Sequence, residues 1–336
     1  MLDKRITPRF IVNYLDQFVI GQDAAKKTVA VAVYLHFKKI AKSQQDKTLM
    51  PKSNVLLIGP SGTGKTLTCE TLSRVLGVPF VTAEATALAQ SRYVNDEIEA
   101  ILQRLVDKAD GDIARSQNGI VFIDEIDKLK AIDGQPRSVS GESVQHALLK
   151  IMEGAQVKLG GGKYIDTTNI LFICGGAFVG LDEIMSQSNS YKYISIAKGD
   201  DKKILDRLNT RVKPTDLFTF GLIPEFTGRL PIIVRFQELS KPMLVRIMTE
   251  PRDSIYDQFR EIFENEGVEL TVDRKVFEQI AELGIEYKTG ARSLRGIFEE
   301  LITPIVYTVA DHPEIKKVGI ASLFSEPSYV GKERSS

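Results

Sequence analysis

Asn54-Val55-Leu56-Leu57-Ile58-Gly59-Pro60-Ser61-Gly62-Thr63-Gly64-Lys65-Thr66 is the stretch that decides the fold. It opens with a short apolar run of strand formers and closes on a complete GxxxxGK[ST] pattern. A helical segment, Lys65 to Leu76, follows directly. A strand that breaks into such a turn and re-forms as a helix is a phosphate cradle. Glycines let backbone N–H groups turn inward around phosphate oxygens. The helix N-terminus adds the positive end of its dipole. Gly59, Pro60, Ser61, Gly62, Thr63 and Gly64 then form the cradle, Lys65 reaches the β- and γ-phosphates, and Thr66 offers its hydroxyl to Mg²⁺. An ordinary glycine-rich turn would not combine all of these parts in this context.

A second signal lies downstream. Ile120-Val121-Phe122-Ile123-Asp124-Glu125 is an apolar strand that delivers two carboxylates at its end. Behind a phosphate cradle, Asp124 is placed to hold the Mg²⁺ shell and Glu125 to orient and polarise an attacking water. Phosphoryl transfer also needs positive charge near the γ-phosphate. Arg229, in Gly221-Leu222-Ile223-Pro224-Glu225-Phe226-Thr227-Gly228-Arg229-Leu230-Pro231, and Arg292, in Thr289-Gly290-Ala291-Arg292, are the candidates by context. On residues alone, each reads first as a surface salt-bridge arginine.

Outward from these motifs, strands and helices alternate. Pro79 to Thr82 and Asn169 to Cys174 read as further strands, and Asp96 to Lys108 and Glu142 to Met152 as helices. Ile98, Ile101, Leu102, Leu105 and Val106 form one stripe of an amphipathic helix. This alternation predicts an α/β fold built on a parallel sheet flanked by helices. Towards the N-terminus, Thr7-Pro8 starts one helix, Gly21 breaks it, and a longer one runs from about Asp23 to Lys42. Beyond Phe236 the pattern turns mainly helical: Lys241 to Glu264, Asp273 to Leu283 and Ala291 to Ala310, with one strand candidate at Val268 to Thr271. The expected organisation is a large α/β domain over 1–237, a small mainly helical domain over 238–325, and a frayed tail over 326–336. Ser186 to Lys203 reads as a polar, mobile loop.

Composition narrows the function classes. Lys plus Arg equals 44 and Asp plus Glu equals 44, so the net charge is zero. That balance, with no basic-aromatic stripe, argues against nucleic-acid and membrane partners. The two cysteines, Cys69 and Cys174, and the three histidines are scattered, with no metal-ligand spacing. Lone thiols, no apolar signal segment and no run long enough to span a bilayer predict a cytoplasmic chain.

Taken in order, Val19-Ile20-Gly21-Gln22, GPSGTGKT, IVFIDEIDK, SVSGESVQHALLKIMEG, ILFICGGAF, FGLIPEFTGRLP and KTGARSLR resemble the ClpX branch of the AAA+ unfoldases. HslU is a close cousin, but too few residues separate Thr66 from Ile120 for its large inserted domain. The resemblance covers almost the whole chain. It implies an AAA+ P-loop domain with a small helical lid, and ATP with Mg²⁺ as cofactors. It implies a homo-hexamer in which each site is completed by its neighbour. Val19 and Ile20 would contact the adenine, Arg229 would be the arginine finger, and Arg292 the second sensor arginine. Members thread protein substrates through a central pore, and Tyr93-Val94 matches the gripping pair of the first pore loop. Both glycines usual beside that pair are replaced, by Arg92 and Asn95. Arg137 to Glu142 matches the second pore loop.

Three departures accompany the resemblance. The chain starts almost at the ATPase domain, without the family's N-terminal zinc-binding domain. The loop from Ala155 to Asp166 is short and has no basic recruiting motif. The loop matching the peptidase-docking segment, about Ser186 to Asp206, has no Ile/Leu-Gly-Phe tripeptide; Tyr191-Lys192-Tyr193-Ile194 is its apolar cluster. This argues against docking on a standard ClpP peptidase ring. The reading is an ATP-dependent unfoldase or remodelling chaperone. The rivals are a nucleotide-switched assembly or scaffold factor that binds without threading, and behind it a nucleic-acid motor.

Overall fold

The structure, a computed structural model, describes residues 5–46, 52–130, 141–189 and 211–331. The chain divides into two compact units. The first comprises Met1–Val12, Ala24–Pro60 and Thr68–Phe236; the second comprises Asn13–Asp23, Ser61–Leu67 and Gln237–Ser336.

The first unit is built on strands β1 (Val55–Ile58), β2 (Phe80–Glu84), β3 (Ile120–Asp124), β6 (Leu171–Gly176) and β7 (Ile232–Arg235). A small hairpin, β4 (Gln156–Lys158) with β5 (Tyr164–Asp166), intervenes in sequence. The five strands lie in the order β2-β3-β6-β1-β7, every pair parallel. Every residue of β1 and β6 is buried, as in a parallel sheet covered on both faces. That is why these strands read as unbroken apolar runs. β7 was not legible in the sequence: it is four residues behind Pro231, only one of them fully buried, and it takes the sheet edge.

Helices α1 (Pro8–Leu15), α2 (Asp23–Asp46), α3 (Lys65–Leu76), α4 (Ala85–Gln90), α5 (Val94–Asp107), α6 (Ile113–Ser116), α7 (Gly141–Glu153), α8 (Leu181–Asn189), α9 (Pro214–Phe220) and α10 (Pro224–Gly228) accompany the sheet. The apolar stripe of α5 is buried as its spacing predicts, although the helix starts at Val94 rather than Asp96. One core joins α5 and α7 to β3 and β6 through Ile101, Leu105, Val121, Leu148, Met152 and Phe172.

In the second unit, the stretch expected as one helical segment is two, α11 (Lys241–Thr249) and α12 (Ile255–Asn265). Pro251 lies between them, and a proline neither donates the ladder bond nor lets its predecessor stay comfortably helical. Then follow β8 (Glu269–Val272), α13 (Arg274–Glu286), α14 (Arg292–Asp311), β9 (Ile315–Ile320) and β10 (Ser328–Gly331). Within the tail expected to fray, Ser328–Gly331 pairs antiparallel with β9, completing a sheet of order β10-β9-β8, and residues 332–336 lie outside the described residues. Backbone pairing along β9 holds this segment although all four of its residues are exposed. Leu244, Met248, Phe263, Phe277, Phe298 and Val318 centre this unit's core.

The polar loop from Ser186 to Lys203 and the second pore-loop match fall largely outside the described residues, as does the Tyr191 to Ile194 cluster. Among the described residues, no helix is long and apolar enough to cross a membrane.

Candidate functional site

The phosphate loop leaves the carboxyl end of β1, where open α/β sheets bind ligands. Gly59 N–H still bonds the Gly176 carbonyl at 3.1 Å, continuing the β1–β6 ladder. The chain then turns through Gly62 (φ +75°) and Gly64 (φ +92°), a backbone region that L side chains rarely adopt. Lys65 and Thr66 open α3. Lys65 and Thr63 are buried at 7% and 4% exposure, unusual for such polar residues and consistent with a loop wrapped around its own donors.

Within the same unit, the loop packs backbone to backbone against the turn that opens α14. A Cβ on Gly62 would stand 2.5 Å from the Thr289 carbonyl oxygen, and one on Gly290 2.8 Å from that of Ser61. Ala291 N–H donates to the Gly62 carbonyl at 3.4 Å. Ala291 is the N-cap of α14, so Arg292, exposed, is the helix's first residue. Val19 and Ile20 are buried at 3% and 7%, and a Cβ on Gly64 would come within 3.7 Å of Val19 Cγ1. The turn that follows is fixed by Gln22, whose side-chain amide donates to the Gln237 carbonyl and accepts from Gln237 N–H, both at 2.8 Å. The structure therefore gathers the phosphate loop, the Arg292 turn and Val19 in one neighbourhood, which sequence distance conceals.

In the first unit, β3 ends in Asp124 and hands the chain to Glu125, held in the left-handed region at φ 59°, ψ 30°. Glu125 N–H donates to Asp124 Oδ1 at 2.9 Å. Its side chain turns to Thr86 on α4, whose hydroxyl donates to Glu125 Oε2 at 3.0 Å. A non-glycine residue in the left-handed region is uncommon. Asp127, buried at 5%, accepts the backbone N–H groups of Ala177 and Phe178 at 3.3 and 3.2 Å. It thereby ties the turn after β6 to the acidic end of β3. Gly175 and Gly176 leave the room: their Cβ atoms would fall 3.2 Å from Asp124 Oδ1 and 2.5 Å from Asp127 Oδ1. Thr86 and Asp127 were missed in the sequence. The third carboxylate of Asp124-Glu125-Ile126-Asp127 was the signal for Asp127; Thr86 carries none.

Arg229 follows α10, remote in sequence from every other group. Its guanidinium pairs with Glu153 Oε1 at 2.6 Å, both side chains about half exposed. Its carbonyl accepts from the Asn54 side-chain amide at 3.1 Å, and the same amide reaches the Met152 carbonyl at 3.3 Å. Tyr93 is 59% exposed at the N-cap of α5, with the Arg92 guanidinium 5.6 Å from its ring centre. Val94 instead packs on the large core. The pair read as one gripping unit is thus split into an exposed ring and a packed anchor.

Groups outside these clusters are quiet. Burial pushes the Cys174 thiol up to about 12 and raises that of Cys69 further, with the Asp124 charge adding to it. Both cysteines are buried and free, the surroundings of an unreactive thiol. His36, 4% exposed, has a ring nitrogen 3.0 Å from the Asn169 carbonyl, and burial depresses it to about 4. Among the described residues no cluster of His, Cys, Asp and Glu could hold a metal by itself.

Comparison with known proteins places this architecture. Residues 50–233, more than half of the chain, match the AAA domain (Cdc48 subfamily), and residues 239–320 match the C-terminal, D2-small domain, of ClpB protein. The class is thus an AAA+ ATPase. The chain is 44% identical to the ATP-dependent Clp protease ATP-binding subunit ClpX of Treponema denticola, over 98% of this chain and 82% of that one. It is 41% identical to ClpX 3 of Methylococcus capsulatus, over 92% of this chain and 78% of the relative. The chain belongs to the ClpX family of AAA+ ATPases.

Proposed function

We propose that this chain is an ATP-driven protein unfoldase that works as a homo-hexameric ring and draws polypeptide through its centre. The observation that carries the reading is the Lys65 phosphate loop and the Asp124-Glu125 strand end, accompanied by an exposed ring on a packed helix. Lys65 and the loop Gly59 to Gly64 would hold the phosphates, with Val19 and Ile20 at the adenine and Arg292 reading the phosphates from α14. Glu125 would accept a hydrogen bond from water and aim its oxygen at the γ-phosphorus, as the β–γ bridging bond breaks. Arg229 would supply positive charge to the neighbouring subunit's transition state.

The donor set fits Mg²⁺. Thr66 and Asp124 present hard oxygen donors, and Mg²⁺ takes few protein ligands beside substrate phosphate and water. Bound there, the ion would neutralise charge on the β- and γ-phosphates.

Tyr93, on a helix anchored by Val94, would transmit motion driven by ATP hydrolysis to a threaded chain. The relatives' printed names make them ATP-binding subunits of a Clp protease. For this chain a peptidase ring is a partner to seek through contacts other than the tripeptide knob. The test is ATP turnover by the purified chain with a stably folded, tagged fluorescent protein, beside a Tyr93→Ala variant. Turnover coupled to loss of fluorescence is expected in the parent. The variant should keep turnover and lose most unfolding, roughly tenfold or more, by analogy with removal of a buried-contact aromatic. Unfolding that survives intact in Tyr93→Ala would sink the pore assignment. The packing of partly buried Val94 against the core favours one other reading, a nucleotide-switched assembly factor that binds without threading; turnover with no loss of fluorescence would support it.

A further inference from the structure

We infer that Glu153 is a charge clasp on Arg229: it offsets the guanidinium's charge within its own subunit and so holds down ATP turnover. This deepens, and rests on, the reading of Arg229 as the arginine finger.

The case begins with what is fixed. The backbone of Arg229 cannot wander. Its carbonyl is held by Asn54, which is 1% exposed and whose amide also reaches the Met152 carbonyl. Asn54 Oδ1 in turn accepts Phe172 N–H at 3.3 Å, pinning the arrangement to β6. Upstream, Gln145 on α7 is fully buried; it accepts Ile223 N–H at 2.9 Å and donates to the Leu129 carbonyl at 2.8 Å. So the 223–229 segment is held at two places, by α7 at Ile223 and by Asn54 at Arg229. With the main chain fixed at both, only the Arg229 side chain is free to choose a direction.

Glu153 makes that choice. It is the last residue of α7, and its carboxylate takes the guanidinium at 2.6 Å. The pair lines an open cavity of about 590 Å³, with Lys39 and Lys52 also on its wall. The guanidinium is therefore reachable from outside the subunit while its charge is offset from within. A guanidinium presents five N–H donors, so phosphate could bind another edge without breaking the pair. The carboxylate would then stand next to incoming phosphate, and like charges repel. Either way, the clasp weakens what Arg229 gives to a transition state that gathers negative charge. Because both side chains are about half exposed, releasing the pair costs little. It can be opened by whatever moves the end of α7. Glu153 touches no nucleotide in this proposal; it is a positioning residue that acts through Arg229.

The experiment is a double-mutant cycle on the full chain, read as kcat and KM for ATP, with Tm as a check on folding. Glu153→Gln keeps an oxygen acceptor and removes the charge. It should raise kcat/KM for ATP about threefold or more with Tm unchanged, and in an Arg229→Ala background it should change nothing. No rise in Glu153→Gln, or an equal rise in both backgrounds, overturns the clasp while leaving the finger in place. If Arg229→Ala alone leaves turnover intact, the finger reading fails, and the clasp with it.

Discussion

Glu125 and Arg229 make an instructive pair. Both stand at the end of a short element in the same unit, and each is held by a side chain from another segment. Glu125 is held by a neutral hydroxyl, Thr86, which brings no opposing charge to it. Arg229 is held by a carboxylate, Glu153, and its charge is offset. The first contact orients without subtracting. The second orients and attenuates together. In the proposed reading, Glu125, which would aim water, profits from the first kind of support, and Arg229, which would serve a neighbour, from the second.

The comparison can be broken most directly at Glu125. Glu125→Gln preserves shape and removes the acceptor charge, and kcat should fall on the order of 10²–10⁴-fold while nucleotide binding persists. Retained turnover, measured by phosphate release, would show that another group orients the water. Thr86→Val should cost less, about tenfold in kcat with KM for ATP unchanged, as loss of one hydrogen bond to a charged acceptor implies. Thr86→Ser should restore it; a faster enzyme in Thr86→Val would mean that the hydroxyl restrains Glu125 instead of aiming it.

His36 marks the limit at which a chargeable group in this unit loses its charge altogether. It lines the same cavity as Arg229, but burial holds it near 4, against 6.5 for the free side chain. Between those values the unfolded chain binds the extra proton and the folded one does not, so stability is lost as pH falls from about 6.5 towards 4. The size is at most about 3 kcal/mol. His36→Gln should flatten that limb of a pH-dependent denaturation series and leave the plateau above pH 7 almost unmoved. A limb of unchanged slope would assign the acid loss to other groups.

Much of this was readable in advance, for identifiable reasons. β1, β3 and β6 are buried on both faces, so their sequences are apolar throughout, and the glycine pattern after β1 admits one chemistry. The sequence said nothing of Thr86, because a threonine in a short helix has no distinguishing neighbours. It was silent on Glu153 and Asn54 too, whose roles arise from contacts across 76 and 175 positions. β7 escaped for the opposite reason: edge strands need less apolar sequence than central ones. Pro251 was visible, yet the periodic residues on either side outweighed it. The expected tail hid β10 because strand pairing with β9 is made by backbone atoms, which composition does not report.

The seam between Gly62 and Gly290 has no side chain in it, since a Cβ on Gly62 would collide with the Thr289 carbonyl and one on Gly290 with that of Ser61. Two bare backbones in contact have no rotamers with which to absorb a displacement. The Ala291 amide, bonded across that seam to the Gly62 carbonyl, can exchange its proton with solvent only when the seam parts. Its deuterium uptake, followed with and without nucleotide, would therefore act as a clock for how often the phosphate loop lets go of α14.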